Sequence, residues 1–175
     1  MGLSIAISGG IVTFAIVYAM MSFPAILDDT TKVSTSSTQM SGTLNSILHT
    51  NINLSNLQNV SGSSTVNFSI NNTGNTILWN YNKFDAIVTY QTNMTGIPTT
   101  LTEVLRYANS CTSLASDHWC IQSITNDLTH PGILDPKETL NVKAELQNPT
   151  NLGSTLTANM GTDNGILSTS SMRVT

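Results

Sequence analysis

Leu140-Asn141-Val142-Lys143-Ala144-Glu145-Leu146 carries the cleanest two-residue alternation in the chain. Successive side chains of a strand point to opposite faces, so residues 140, 142, 144 and 146 face a core while Asn141, Lys143 and Glu145 face water. The same period extends outward on both sides. Val66, Phe68 and Ile70 alternate with Asn67 and Ser69, and Phe84, Ala86, Val88 and Tyr90 alternate with Asp85 and Thr89. Leu101, Leu105 and Tyr107 share one face of a further strand, opposite Thr102, Val104 and Arg106. Trp119, Ile121 and Ser123 read as one more, and Leu156, Ala158 and Met160 as another. Turn residues cluster at Asn71–Gly74, Asn93–Gly96 and Thr162–Gly165, where Asn164-Gly165 predicts a type I′ hairpin. About seven or eight short strands with no helix-period segment between them predict an all-β, immunoglobulin-like antiparallel β-sandwich over residues 51–175. A barrel is the alternative.

The N-terminal part reads differently. From Leu3 to Leu27 there are 25 consecutive residues without Asp, Glu, Lys, Arg or His. At 1.5 Å per residue such a run is long enough for a hydrocarbon core of about 30 Å, which predicts a single-pass transmembrane anchor helix over residues 1–27. A cleaved signal peptide is the competitor, but no basic residue precedes the run and Ala25-Ile26-Leu27 is a poor cleavage site. Ser4/Ser8, Ala6/Gly10 and Gly9/Thr13 have the small-x-x-x-small spacing that permits close helix pairing. Residues 28–50 read as a hydroxyl-rich stem, partly helical because Met40, Leu44, Ile47 and Leu48 fall on one helical face.

Charge narrows the function classes. Only 9% of the residues are charged, the formal net charge is −4, and Lys and Arg together number six. Phosphate neutralisation needs clustered basic side chains, so no nucleic-acid partner is expected. The exterior is instead wetted by 21 Ser, 26 Thr and 19 Asn. Five N-x-[ST] sequons, at Asn53, Asn59, Asn67, Asn71 and Asn93, fit glycosylation on an extracytoplasmic face. Cys111 and Cys120 are the only cysteines, and their pairing in a disulfide fits the same compartment.

Chemistry is not visible in the sequence. His49, His118 and His130 sit at no metal-ligand spacing, and the cysteines lack the short separation of a zinc site. Asp117-His118 has no nucleophile elbow beside it, and no glycine loop suits a phosphate. No enzyme, cofactor or metal is therefore expected. Trp79, Tyr81, Tyr107 and Trp119 are the aromatic candidates for a binding face. A secreted carbohydrate-binding sandwich is disfavoured by an aromatic content of only 6%.

Taken together, Met1-Gly2-Leu3-Ser4 opening into an apolar helix, Asn72-Thr73-Gly74-Asn75-Thr76 leading to Trp79, Lys83–Tyr90, and Leu134-Asp135-Pro136-Lys137-Glu138-Thr139-Leu140 resemble the archaeal flagellum (archaellum) accessory proteins F and G, in the archaellin and type IV pilin-like group. The N-terminus is more similar to the F member. The resemblance implies a motility component in the cell membrane, with its sandwich in the pseudoperiplasm. It also implies binding to the surface-layer lattice and to a companion accessory protein, as a stator-like anchor. The alternative within the group is a filament-forming archaellin or pilin subunit, which would be a homo-oligomer.

Overall fold

The computed structural model describes residues 2–94, 96–127 and 129–175, without the side chains of residues 2–8, 22–30 and 94. Residues up to Leu44 form one compact unit and Asn45–Thr175 a second.

A single helix, α1 (Gly2–His49), runs through both the apolar segment and the segment read as a stem. Thr and Ser are mediocre helix formers because their hydroxyls compete for backbone partners. Here the competition is resolved inside the helix. Thr13, Thr35, Thr38 and Thr43 donate to the carbonyls of Gly9, Thr31, Ser34 and Gln39 at 2.8–3.0 Å, so the hydroxyls are satisfied without breaking the backbone ladder.

The second unit has eight strands: β1 (Ile52–Asn59), β2 (Thr65–Asn72), β3 (Asp85–Met94), β4 (Ile97–Ala108), β5 (His118–Thr125), β6 (Thr139–Glu145), β7 (Thr155–Gly161) and β8 (Leu167–Arg173). Their order is β1-β2-β6-β5-β4-β3-β7-β8. Lettered in sequence as A, B, C, C′, D, E, F and G, these are the A-B-E-D and C′-C-F-G layers of an immunoglobulin-like sandwich. The expected purely antiparallel pairing needs one correction. Arg106–Ala108 of β4 runs parallel to His118–Cys120 of β5, so the end of β4 leaves its antiparallel partner β3 and joins the other layer. On the far side the two edges approach closely enough for the Leu54 amide to donate to Ser168 Oγ at 2.9 Å. The sandwich is therefore partly closed, which accounts for its barrel-like aspect.

The core is the set of inward positions from the alternating segments. Val66 and Ile70 of β2, Leu140, Val142 and Ala144 of β6, Val88 of β3 and Leu156, Ala158 and Met160 of β7 are all essentially inaccessible to water. Two irregularities depart from simple alternation. In β5 a bulge between Ile121 and Ser123 shifts the register, leaving Ser123 exposed and turning Ile124 against the core. At the β7–β8 turn Gly165 alone has positive φ (+78°), and its amide donates to Thr162 O at 2.9 Å. This is a type I turn followed by a left-handed glycine, not the expected type I′, because three residues, Asp163 to Gly165, separate Thr162 from its bonded partner Ile166, where a type I′ hairpin has two.

Candidate functional site

The two sequence stretches that lead into Trp79 and Leu140 meet at one end of the sandwich, around the chain as it leaves α1. Asn72 is fully buried, and its amide nitrogen donates to Thr76 O at 2.8 Å and Leu134 O at 3.1 Å. Its side-chain oxygen accepts from the Gly74 amide at 3.1 Å. Leu78 and Leu134 exchange backbone hydrogen bonds at 3.0 and 2.8 Å, and Glu138 caps the Asp135 amide at 2.9 Å. One asparagine thus braces the loop at Thr76 and the loop at Leu134, the latter 62 residues further along the chain than Asn72 itself.

Those loops grip the helix exit. The amides of Thr73 and Gly74 donate to Asn51 O, and that of Asn75 donates to His49 O. Thr50 is buried, donates to Ser46 O at 2.7 Å, and accepts from Asn164 Nδ2 at 3.0 Å. Gly74 is required by close approach: a Cβ there would lie 2.5 Å from both Asn51 N and His49 O. The last turn of α1 is consequently held by backbone and side-chain hydrogen bonds from two separate loops.

Outside that socket the described part of the helix is bare. Residues 9–21 and 31–45 are exposed throughout, including Phe14, Met20, Met21, Val33 and Met40. Among the described residues no helix is both long and apolar enough to cross a membrane. Of the chargeless run at 3–27, the side chains of 3–8 and 22–27 lie outside the described residues. The helix-packing candidates Ser4, Ala6 and Ser8 fall there, while Gly9, Gly10 and Thr13 are described and exposed.

The aromatic candidates separate into core and surface. Trp119 is completely buried, Tyr81 is 6% exposed and Tyr107 is half-buried between them, with ring centroids 4.8 Å from Trp119 and 6.2 Å from Tyr81. Burial raises the pKa of both tyrosines, so both stay protonated. Only Trp79, at 62% exposure, presents its ring to solvent. Trp119 is therefore a core residue, and Tyr81 is mostly buried while still bordering the surface beside Trp79. Trp119 lies on β5 opposite Tyr107, where the end of β4 joins that layer, and so large a ring has much apolar area to bury.

Cys111 and Cys120 are joined by a disulfide across the loop between β4 and β5. Of the sequons, Asn53 and Asn93 are exposed. Asn59 is not available to a glycan in the folded chain, because it is 5% exposed, donates to Ser63 O and Thr65 O, and accepts from the Thr150 hydroxyl. Asn71 has both ends of its amide engaged, to Ser55 and Thr139, and Asn67 is half-buried.

One buried acid escaped the sequence reading. Glu103 lies on the inward face of β4 with 8% exposure, accepts from the Tyr90 hydroxyl and from the Gln147 amide, and is pushed above the usual carboxylate range by desolvation. Its position between the inward Leu101 and Leu105 was the available signal. Among the described residues no three His, Cys, Asp or Glu side chains gather as they would around a metal ion.

No protein-family model and no curated protein matches the chain. Among solved structures it is similar to a subunit of the archaeal flagellum of Methanospirillum hungatei, at 14% identity and a TM-score of 0.61, covering 100% of this chain and 94% of that one. It is similar also to a chain of the archaellum periplasmic stator protein complex FlaF and FlaG from Sulfolobus acidocaldarius, at 16% identity and a TM-score of 0.50, over 69% of this chain and 87% of that one. The archaeal flagellin FlaB1 of Methanocaldococcus jannaschii gives 9% identity and a TM-score of 0.50, over 71% of this chain and 90% of that one. At these identities the likeness is one of fold. The resemblance read from the sequence leads to the same group of structural components, and none of these three is described as an enzyme.

Proposed function

We propose that the chain is a membrane-anchored, extracytoplasmic structural protein of the archaellum machinery, whose β-sandwich holds the surface layer and acts as a stationary, stator-like anchor. The observation that carries the reading is the fold shared with archaellum chains. Two features of this chain support it. The run from Leu3 to Leu27 contains no charge, and an uncharged helix of that length partitions into lipid. The bonded exit around Thr50 and Gly74 would carry force from an anchored helix into the sandwich. A companion accessory protein would share the sandwich surface, and Asn53 and Asn93 are the sequons open to glycans.

The second reading, a filament subunit, is favoured by one specific observation. The match to the flagellum subunit extends over the whole chain, helix included, whereas the match to the stator complex stops at 69%. In a filament the exposed apolar residues of the helix would pack against other copies.

One experiment separates the two. The full chain is reconstituted in vesicles and tested for resistance to alkaline extraction and for co-sedimentation with purified surface-layer lattice. Retention in lipid together with lattice binding supports the anchor. Purified filaments that contain this chain as their repeating subunit would replace the anchor with the filament reading.

A further inference from the structure

A groove of about 470 Å³ opens at the surface between the 79–82 turn and the end of β4. It is lined by Trp79, Asn80, Tyr81, Asn82, Tyr107 and Asn109, none of them charged. Both walls are fixed. Tyr81 is buried and its hydroxyl donates to Gly132 O at 3.3 Å, while Leu78, immediately before the turn, bonds to Leu134 in both directions. On the other side Ala108 pairs with Cys120 in the parallel ladder, and Cys120 is bonded to Cys111 two residues beyond Asn109. The floor is Tyr107, seated against the fully buried Trp119.

The combination is chemically selective. An exposed indole face offers a flat apolar surface to a ring that presents C–H bonds, and asparagine amides offer a donor and an acceptor side by side. Vicinal hydroxyls of a pyranose match that donor–acceptor pair, and the uncharged lining gives an anionic or cationic ligand nothing to pair with. Walls held by a disulfide, a strand ladder and buried tyrosine contacts lose little freedom on binding. We infer that this groove is a binding subsite for a neutral glycan, with Trp79 as the stacking platform and Asn80, Asn82 and Asn109 as the hydroxyl readers. The inference does not rest on the lipid anchor or on the surface layer, since it concerns a ligand of the isolated chain.

Trp79 and Trp119 are the only tryptophans, and Trp119 is inaccessible, so ligand-dependent changes in indole emission report on Trp79. The full chain, in a zwitterionic detergent that carries no sugar headgroup, is titrated with maltotetraose, mannotetraose, cellotetraose and tetra-N-acetylchitotetraose. Trigalacturonate and a proline-rich decapeptide serve as anionic and peptide probes. The expected result is a saturable blue shift with at least one neutral tetraose. By calorimetry, Trp79→Ala weakens that tetraose about tenfold or more, and Asn82→Ala or Asn109→Ala weakens it about threefold. Thermal unfolding of the Trp79→Ala chain should be unchanged, because the side chain is exposed. The proposal is overturned if no tetraose saturates by about 10 mM, if Trp79→Ala binds as the parent does, or if only trigalacturonate or the peptide gives a saturable shift.

Discussion

In the helix, Thr35, Thr38 and Thr43 turn their hydroxyls back onto carbonyls four residues earlier, whereas in the sandwich Thr139, Ser69 and Thr150 reach partners 68, 72 and 91 residues away. The same neutral polar residues thus serve two kinds of structure. Local bonds complete the helix from within, and its described apolar side chains over residues 9–21 and 31–45 remain exposed. Long-range bonds tie the sandwich into one cooperative body whose apolar side chains are inward. A helix of that kind acquires its stability from surroundings, and a sandwich of that kind supplies its own.

The largest expected effect lies in the core. Trp119→Ala removes a fully buried indole, and losses for such truncations are about 3–5 kcal/mol. Circular dichroism of the full chain in detergent micelles, near-ultraviolet for the sandwich and far-ultraviolet for the helix, should show the sandwich melting earlier while the micelle-held helical signal persists to higher temperature. Simultaneous loss of both signals would break the contrast between the two regions. Next comes the disulfide. Replacing Cys111 and Cys120 together by Ser should lower sandwich stability by about 2–3 kcal/mol, the chain-entropy value for so short a loop, and leave the helix alone.

Gly74→Ala sharpens the comparison at the place where helix and strand meet. Its Cβ would press on the backbone at Asn51 and His49, and overpacking of that kind costs about 1–3 kcal/mol. Amide hydrogen exchange should rise at Asn75, Gly74 and Thr73, whose donors hold the exit, more than in β7. Unchanged exchange there would mean that the socket does not hold the helix end.

Glu103 gives a smaller effect with a definite sign. Desolvation raises its folded pKa above the ordinary carboxylate value, so between those two values the folded chain binds more protons than the unfolded one. Its contribution is therefore most favourable below the unfolded pKa and declines as pH rises through the folded pKa. Glu103→Gln keeps an acceptor for the Gln147 amide, replaces the acceptor of the Tyr90 hydroxyl by an NH2 donor, and removes the ionisation. The variant should show a flatter stability profile than the parent in melts from about pH 4 to pH 8. A parent and variant with parallel profiles would remove Glu103 as the source. The smallest effect is in the helix, where Thr35→Ala with Thr38→Ala should change melting by no more than about 0.5 kcal/mol, since the lost bonds are exposed and alanine is the better helix former.

How much of this was legible depended on whether a residue's role was local. The inward residues of β2, β6 and β7 follow from alternation alone, because burial on one face imposes period two. Trp119 was found as a strand residue but assigned to a surface, since alternation does not reveal how deep a face lies. Alternation from Trp119 and Ile121 puts Ser123 on the inward face, but a bulge inserts a residue without a sequence mark and leaves Ser123 exposed, with Ile124 against the core. Asn59 read as a sequon, and only the fold shows that Ser63, Thr65 and Thr150 occupy its amide. Asn72 and Gly74 were noticed as a motif, but the reason for them lies at Leu134 and His49, which the chain brings together only on folding.

By itself the sequence determined the β character of residues 51–175, the chargeless N-terminal run, the scarcity of charge and the pair of cysteines available to bond. These are properties of composition and short-range periodicity, set by which side chains neighbour one another along the chain. The tertiary structure alone decided the parallel junction of β4 with β5, the burial of Glu103, the socket around Thr50 and the meeting of Trp79 with Asn109. Each depends on contacts between distant segments, and such contacts are chosen by packing and hydrogen-bond geometry in three dimensions.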